Sequence, residues 1–200
     1  GDPKVVERLM QTAAAYPRIT EVNKSGRTNI ITQLFSGTRV VREGPWGWEH
    51  PYSYLILHPG ILLVNFNDNP RTKKLILDIA SSYISYGKQQ ADGTWTFPEF
   101  FNSATDETKG KMLPKMRGIN ALAQLFWTSY AWTGDKKYLL PLESVLEPGL
   151  HTPLAVLNAN VIDQLGKRDG WGNDILDYVQ KHGNIAVGSG GAEAGPFLNT

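Results

Sequence analysis

A stripe of apolar side chains between Pro70 and Gly87 has the spacing of one face of an α-helix. Asn69 precedes the stripe as a capping residue, proline suits the first helical turn, and glycine commonly follows a helix end. The same signals open the chain, where Asp2 and Pro3 precede a second amphipathic stripe. Both stretches are therefore predicted to be α-helices.

Further stripes of helical spacing come in pairs, separated by short turns that contain Gly, Asn or Asp. We predict at least three antiparallel helix hairpins, around residues 52–86, 119–147 and 153–182. Helical spacing at residues 30–35 predicts a further short helix. The pattern as a whole predicts an all-α fold in a single domain. The parts of that domain are a lead-in at 1–47, helix hairpins at 48–183 and a glycine-rich tail at 184–200.

The composition is that of a globular chain and excludes several classes of function. Of the 200 residues, 20 are Lys or Arg and 19 are Asp or Glu, without a long run of like charge. This balance argues against binding to nucleic acid or to an anionic membrane surface. The absence of cysteine excludes disulfides, a thiolate nucleophile and Cys-ligated metal centres. No two histidines have the spacing of a helical zinc motif, and we predict neither a metal nor a cofactor.

The ends and the most apolar stretch of the chain show no membrane or targeting signal. Residues 54–66 are the longest apolar stretch, but polar residues and a Pro-Gly pair interrupt them. They are shorter than the roughly 20 residues that a membrane-spanning helix needs, so no span is predicted. The start Gly1-Asp2-Pro3 lacks the basic and apolar regions of a targeting signal, which is typical of a processed chain.

Two segments between predicted helices combine aromatic side chains with groups able to transfer protons. Residues 44–54 contain Trp46, Trp48, Glu49, His50, Tyr52 and Tyr54. Residues 91–102 contain Asp92, Trp95 and Glu99. Indole faces bury the C–H faces of sugar rings, while Glu, His and Tyr bind hydroxyls or move protons. The two segments therefore favour a carbohydrate site.

A third segment, residues 111–120, places basic side chains ahead of a helix N-terminus, where a carboxylate-bearing substrate would fit. Each segment also has a purely structural interpretation. The tryptophans of 44–54 would plug the end of the core, residues 91–102 would form a lid packed on the helices, and the basic residues would simply be exposed. We expect the first two segments to meet at one end of the helices and form a cleft. The expected wall residues are Trp48, His50 and Trp95.

One hairpin carries a family resemblance. Residues 125–139 comprise an aromatic-rich helix, a Thr133-Gly134-Asp135 turn and a helix opening with Lys137-Tyr138-Leu139. The stretch Phe66-Asn67-Asp68-Asn69-Pro70-Arg71 resembles a degenerate copy of that turn. These features resemble the hairpins of α/α-toroid carbohydrate-active enzymes, most of all the uronate-directed polysaccharide lyases. The resemblance implies that the hairpins form part of an (α/α) toroid with loop side chains acting at one mouth.

The resemblance further implies a secreted or periplasmic lyase that cleaves a uronic-acid-containing polysaccharide or oligosaccharide by β-elimination. Elimination needs a base for the proton α to the carboxylate, a group that neutralises the carboxylate and an acid for the leaving oxygen. His50 is the expected base, because an ordinary imidazole titrates near pH ~6.5. The other expected catalytic residues are Tyr52 or Tyr54 as acid or alternative base, and Arg117 with Asn120 on the carboxylate. The expected substrate-binding residues are Trp46, Trp48, Glu49, Trp95 and Glu99.

Two other functions stay open. A glycoside hydrolase needs two carboxyl groups about 5 to 9.5 Å apart, and Glu49 with Asp92 or Glu99 is the aromatic-flanked choice. A helical scaffold would instead bind a glycan or a protein in its groove without catalysis. Because three hairpins do not close a toroid, we also expect an exposed apolar edge near residues 153–182, covered by further chain of the same protein or by a partner.

Overall fold

The structure is a computed structural model that describes residues 2–36, 38–93, 95–112, 119–142, 155–156, 173–175, 177, 181 and 185–186. The α-helices with described bounds are α1 (Pro3–Ala15), α2 (His58–Asn67), α3 (Pro70–Ile84) and α4 (Ile119–Thr133). The described residues 173–175, 177 and 181 are also α-helical. Shorter 3-10 helices span Tyr16–Arg18, Gly44–Gly47, Pro51–Leu57 and Lys136–Leu139. The strands are β1 (Thr20–Val22), β2 (Thr28–Ile30), β3 (Trp48–Glu49), β4 (Lys88–Gln89), β5 (Trp95–Thr96), β6 (Pro98–Asn102), β7 (Thr108–Met112), β8 (Ala155–Val156) and β9 (Ile185–Ala186).

The prediction of an all-α fold, and with it of an α/α toroid, is wrong. Three small antiparallel sheets accompany the helices: β1 with β2, β3 with β6 and β7, and β4 with β5. The short helix predicted at 30–35 is also wrong, since Ile30 ends β2 and the residues after it are not helical. Strands of two to five residues have too few positions to display a period of two.

Both predicted helix-capping residues are confirmed. The Asp2 carboxylate accepts a hydrogen bond from the backbone N–H of Lys4 at 2.9 Å at the start of α1. The Asn69 side chain accepts one from the N–H of Thr72 at 3.0 Å at the start of α3. Each bond satisfies one of the backbone donors that a helix leaves unpaired at its first turn.

The predicted hairpins differ in how much of each is described. Helix α2 joins α3 through Asp68 and Asn69, and the two helices pack together. Helix α4 is followed by the 3-10 helix Lys136–Leu139. The third predicted hairpin, 153–182, lies largely outside the described residues, as does its expected apolar edge. In the described part, residues 173–175, 177 and 181 are helical as predicted. Residues 155–156 differ from the prediction, because they form β8, which pairs in parallel with β9.

Tyr16 ties the end of α1 to the start of α2. Its hydroxyl donates to the carbonyl of Ile56 and accepts from the N–H of Gly60, both at 2.9 Å, and the residue is 1% exposed. A Cβ atom at Gly60 would lie only 2.6 Å from the Tyr16 ring. Glycine is therefore needed at the position where the tyrosine crosses the first turn of α2.

Aromatic rings fill the core between the helices and the strands. The ring of Tyr83 on α3 stacks on Phe97 at 5.4 Å between centroids and meets Tyr54 edge-on at 5.6 Å. Phe126 of α4 and Phe101 of β6 lie against the same ring at 5.5 and 6.0 Å. All five residues are buried. The core thereby fixes the strand pair that carries the candidate site against α3 and α4.

Candidate functional site

The two aromatic segments lie side by side because they pair as strands. In the sheet formed by β3, β6 and β7, Trp48 lies opposite Asn102 and Glu49 lies opposite Phe101. The prediction that these segments lie together is thus confirmed, although they meet as a sheet and not at the ends of helix hairpins. Trp95 belongs to a different sheet, in which β5 pairs with β4. The strand pairing therefore brings Trp48 and His50 to one sheet and does not itself place Trp95 beside them.

Strand alternation divides the sheet into two faces. Paired residues of antiparallel strands point to the same side, so Trp48 and Asn102 share one face while Glu49 and Phe101 share the other. Phe101 and Glu49 are buried, whereas Trp48 and Asn102 are partly exposed. We call the solvent side the outer face. Its members are Trp48, His50, Phe100, Asn102 and Lys109.

A cation lies over an aromatic platform on the outer face. Lys109 is opposite Phe100 in the register of β6 and β7, and its Nζ lies 3.7 Å from the centroid of the Trp48 ring. The same Nζ is 5.9 Å from the Phe100 centroid. The His50 ring contacts Phe100 edge-on at 5.6 Å between centroids. Two aromatic rings, an imidazole and an ammonium group therefore form one continuous patch.

His50 is suited to accept a proton at neutral pH. Burial lowers the pKa of its imidazole below the ordinary value, and the nearby Glu99 carboxylate offsets part of that effect. The half-buried ring is therefore neutral at pH 7. Its backbone N–H donates to Ser53 Oγ at 3.1 Å, which fixes the main chain at this position.

Gly110 allows the strand beside the outer face to bend. Its φ of +85° lies in the left-handed region that favours glycine. A Cβ atom there would lie 2.9 Å from Oε2 of Glu99 and 3.0 Å from the Phe100 ring. A register irregularity between Pro98 and Phe100 falls at the same place. Gly110 thus lets Glu99 and Phe100 lie close over β7.

Glu49 and Tyr54 lie on the other side of the sheet, inside the core. Glu49 is 1% exposed, and its Oε2 accepts a hydrogen bond from the N–H of Ile30 at 2.8 Å. Burial raises the pKa of Glu49 to about 8, although the adjoining Tyr54 hydroxyl and the Ile30 N–H each lower it. Burial likewise raises the pKa of Tyr54. The expected roles of Glu49 in substrate binding and of Tyr54 in catalysis are corrected, because neither side chain reaches the outer face.

The remaining expected site residues are scattered or not described. Trp46 is 42% exposed but lies in the 3-10 helix Gly44–Gly47, outside the sheet. Trp95 is partly buried and stacks on Phe97 at 6.3 Å, which fits the alternative interpretation of its segment as a lid. Asp92 is exposed in the turn between β4 and β5. The predictions for Tyr52, Arg117 and Asn120 lie outside what the structure describes. Arg117 is outside the described residues, and the side chains of Tyr52 and Asn120 are not described.

Lys109 is a candidate site residue that sequence reasoning missed. It is an exposed lysine in a stretch without aromatic residues, so nothing local distinguishes it. Its position follows only from the pairing of β7 with β6, which sets it opposite Phe100. Phe100 and Asn102 fall within the predicted aromatic segment, but their shared face with Trp48 also depends on the register.

Other observations limit what the site can contain. Within the described ranges, no group of three or more His, Asp or Glu side chains is placed to hold a metal ion. None of the helices in that part of the chain has the length and apolar character needed to cross a bilayer. Protein-family models, curated proteins and solved structures show no match to this chain. Function is therefore inferred from the geometry of the site itself.

Proposed function

We propose that the outer face binds a uronate-containing glycan. The observation that carries the proposal is the ammonium group of Lys109, 3.7 Å from the Trp48 ring and beside Phe100 on the solvent side of the sheet. A sugar ring packs its C–H face on the indole, and the exposed lysine moves from the ring to pair with the uronate carboxylate. Neutral His50 and the amide of Asn102 are placed to hydrogen-bond sugar hydroxyls.

Binding of trigalacturonate and of neutral maltotriose, measured by isothermal titration calorimetry, tests this proposal. Lys109→Gln should weaken trigalacturonate binding by about tenfold, which is the loss expected for one charge-assisted hydrogen bond. The affinity for maltotriose should not change. Trp48→Ala should weaken both ligands because it removes the platform. Trp46→Ala is the matched control, since Trp46 is exposed but lies outside the sheet. Equal losses for the two tryptophan variants would contradict the proposal.

A second candidate function is β-elimination on the bound uronate, favoured by the position of the His50 imidazole against Phe100, on the same face as Lys109. The neutral imidazole would take the proton α to the carboxylate as the bond to the leaving oxygen breaks, and that oxygen would take a proton from water. The product carries a new carbon–carbon double bond. Lys109 would take the role expected of Arg117, neutralising the carboxylate as negative charge develops.

Elimination is tested by incubating the protein with polygalacturonate and following ultraviolet absorbance, because the conjugated product absorbs and a hydrolysis product does not. His50→Gln should abolish the absorbance increase but weaken trigalacturonate binding by much less than Trp48→Ala does, because the glutamine amide can still hydrogen-bond sugar hydroxyls. New reducing ends without absorbance would indicate hydrolysis. The burial of Glu49 argues against the hydrolase pair, since a carboxyl group 1% exposed cannot contact a polysaccharide.

A further inference from the structure

A polar cleft of about 570 Å³ lies between the turn that joins β1 to β2 and one side of α3. Its volume is within the usual range for small-molecule sites. Unlike the outer face, it is lined mainly by hydroxyl and charged groups. The lining residues used below are Ser25, Arg27, Lys74, Asp78 and Ser81.

The guanidinium group of Arg27 is held in the cleft wall from three sides. Its Nε donates to Ser85 Oγ at 2.7 Å, and its Nη1 pairs with Asp106 Oδ2 at 2.8 Å. The ring of Tyr86 lies 4.6 Å from the guanidinium carbon. Within the described part of the chain, Nη2 has no hydrogen-bond partner, and the side chain remains 28% exposed. A ligand oxygen that reaches Nη2 would therefore meet a donor whose side chain is already ordered.

The group that anchors Arg27 is itself fixed. Oδ1 of Asp106 accepts from the Asn23 side chain at 2.6 Å and from the Tyr86 hydroxyl. Asn23 also organises the turn, because its Oδ1 accepts the backbone N–H groups of Ser25 and Arg27, each at 3.0 Å. The turn and its arginine thus keep one geometry without a ligand.

The α3 side of the cleft supplies a second cation and acceptors for hydroxyl groups. Lys74 Nζ pairs with Asp78 Oδ2 at 2.6 Å across one helical turn, and both side chains are exposed. Ser81 Oγ shares a hydrogen bond with the Tyr138 hydroxyl at 3.0 Å. A carboxylate, an ammonium group and a serine hydroxyl together match the hydroxyl groups of a polyol, because the carboxylate accepts hydrogen bonds and the ammonium donates them.

We infer that this cleft binds a small polyhydroxylated molecule carrying one oxyanion, either a phosphate monoester or a carboxylate. The oxyanion takes Nη2 of Arg27, and the hydroxyl groups take the side chains of Lys74, Asp78 and Ser81, which lie further along α3. The cleft shares no residue with the outer face, so the inference stands independently of the proposed function.

Calorimetric titration of the whole chain with glucose 6-phosphate, glucuronate and glucose tests the inference. Glucose should bind at least about tenfold more weakly than the tighter of the two anionic sugars, because it lacks the charge-assisted contact to Arg27. The order of the two anionic sugars tells whether phosphate or carboxylate is preferred. Failure of both to bind more tightly than glucose would overturn the inference.

Substitutions of three lysines test whether the anionic sugar binds in this cleft. Lys74→Gln should weaken the preferred anionic sugar by about tenfold. Lys73→Gln should leave it unchanged, since Lys73 pairs with Asp68 and does not line the cleft. Lys109→Gln should also leave it unchanged, which separates the cleft from the outer face.

Arg27→Lys keeps the charge but loses the planar guanidinium, and it should weaken binding by at least as much as Lys74→Gln. Thermal unfolding checks that this variant folds. If Arg27→Lys does not fold, the affinities of the Lys74→Gln and Lys73→Gln variants for the anionic sugar test the inference. Equal affinities for those two variants would overturn the inference.

Discussion

Replacing Glu49 with glutamine should remove a fall in stability that the wild-type protein shows as the pH rises from about 5 to 8. The carboxyl group has an ordinary pKa of 4.5, and burial raises that pKa to about 8 in the folded protein. The folded state therefore binds the proton more tightly than the unfolded state does. The contribution of Glu49 to the free energy of unfolding is fully present below pH 4.5 and is lost as the pH rises through about 8.

The size of the effect follows from the two pKa values. At about 1.4 kcal/mol for each pH unit between 4.5 and 8, deprotonation of Glu49 costs about 5 kcal/mol of folding free energy. This is a large part of the roughly 5 to 15 kcal/mol that stabilises a typical domain. With a urea dependence of about 2 kcal/mol per molar, the unfolding midpoint should fall by about 2 M over that pH range.

Glutamine preserves the shape of Glu49 without the titration. Its amide oxygen can accept the N–H of Ile30, which donates to the carboxylate at 2.8 Å. Its amide N–H groups can donate to the Tyr54 hydroxyl, which has no hydrogen bond of ordinary geometry to any described residue. Glu49→Gln should therefore be more stable than wild type at pH 8, and its stability should not fall between pH 5 and 8.

Urea unfolding followed by circular dichroism at pH 5, 6, 7 and 8 measures the effect. Glu7→Gln, on the exposed side of α1, is the control and should retain the wild-type profile. Tyr54→Phe should move the wild-type fall to higher pH, because the Tyr54 hydroxyl lowers the pKa of Glu49. Parallel profiles for the wild-type and Glu49→Gln proteins across this range would refute the reasoning.

Four further outcomes are expected. Asn69→Ala should lower the free energy of unfolding by about 1 kcal/mol in urea, because it removes the cap bond to Thr72, and Asn69→Asp should restore most of it. Gly60→Ala should cost about 1 to 3 kcal/mol in the same assay, since its Cβ would lie 2.6 Å from the Tyr16 ring. Gly110→Ala should weaken trigalacturonate binding, because a Cβ at φ +85° would displace Phe100. Unchanged affinity would contradict the proposal that the outer face binds the glycan. In nuclear magnetic resonance titrations, Glu99→Gln should lower the pKa of His50 further, since the carboxylate raises it; an increase would contradict the assigned contact.

The sequence by itself determined the helices whose signals are local. The caps at Asp2 and Asn69 and the apolar stripe of α3 act within one or two helical turns, so they can be recognised without knowing the rest of the fold. It also indicated that residues 44–54 and 91–102 lie together, because both segments enter or leave neighbouring predicted helix pairs from the same side. It did not reveal that they pair as strands, and the all-α prediction failed there.

Only the tertiary structure decided which side of the sheet each side chain occupies. Trp48, Glu49 and His50 are adjacent in the chain, and the sequence predicts one site for all three. The strand instead directs Glu49 into the core and leaves the other two on the outer face. Lys109 joins that face through its register with Phe100. Strand register depends on contacts between segments far apart in the chain, and a shift of one residue would exchange the two faces. Short strands contain too little local pattern to determine which face is buried. The packing of Phe101 against the aromatic core determines it.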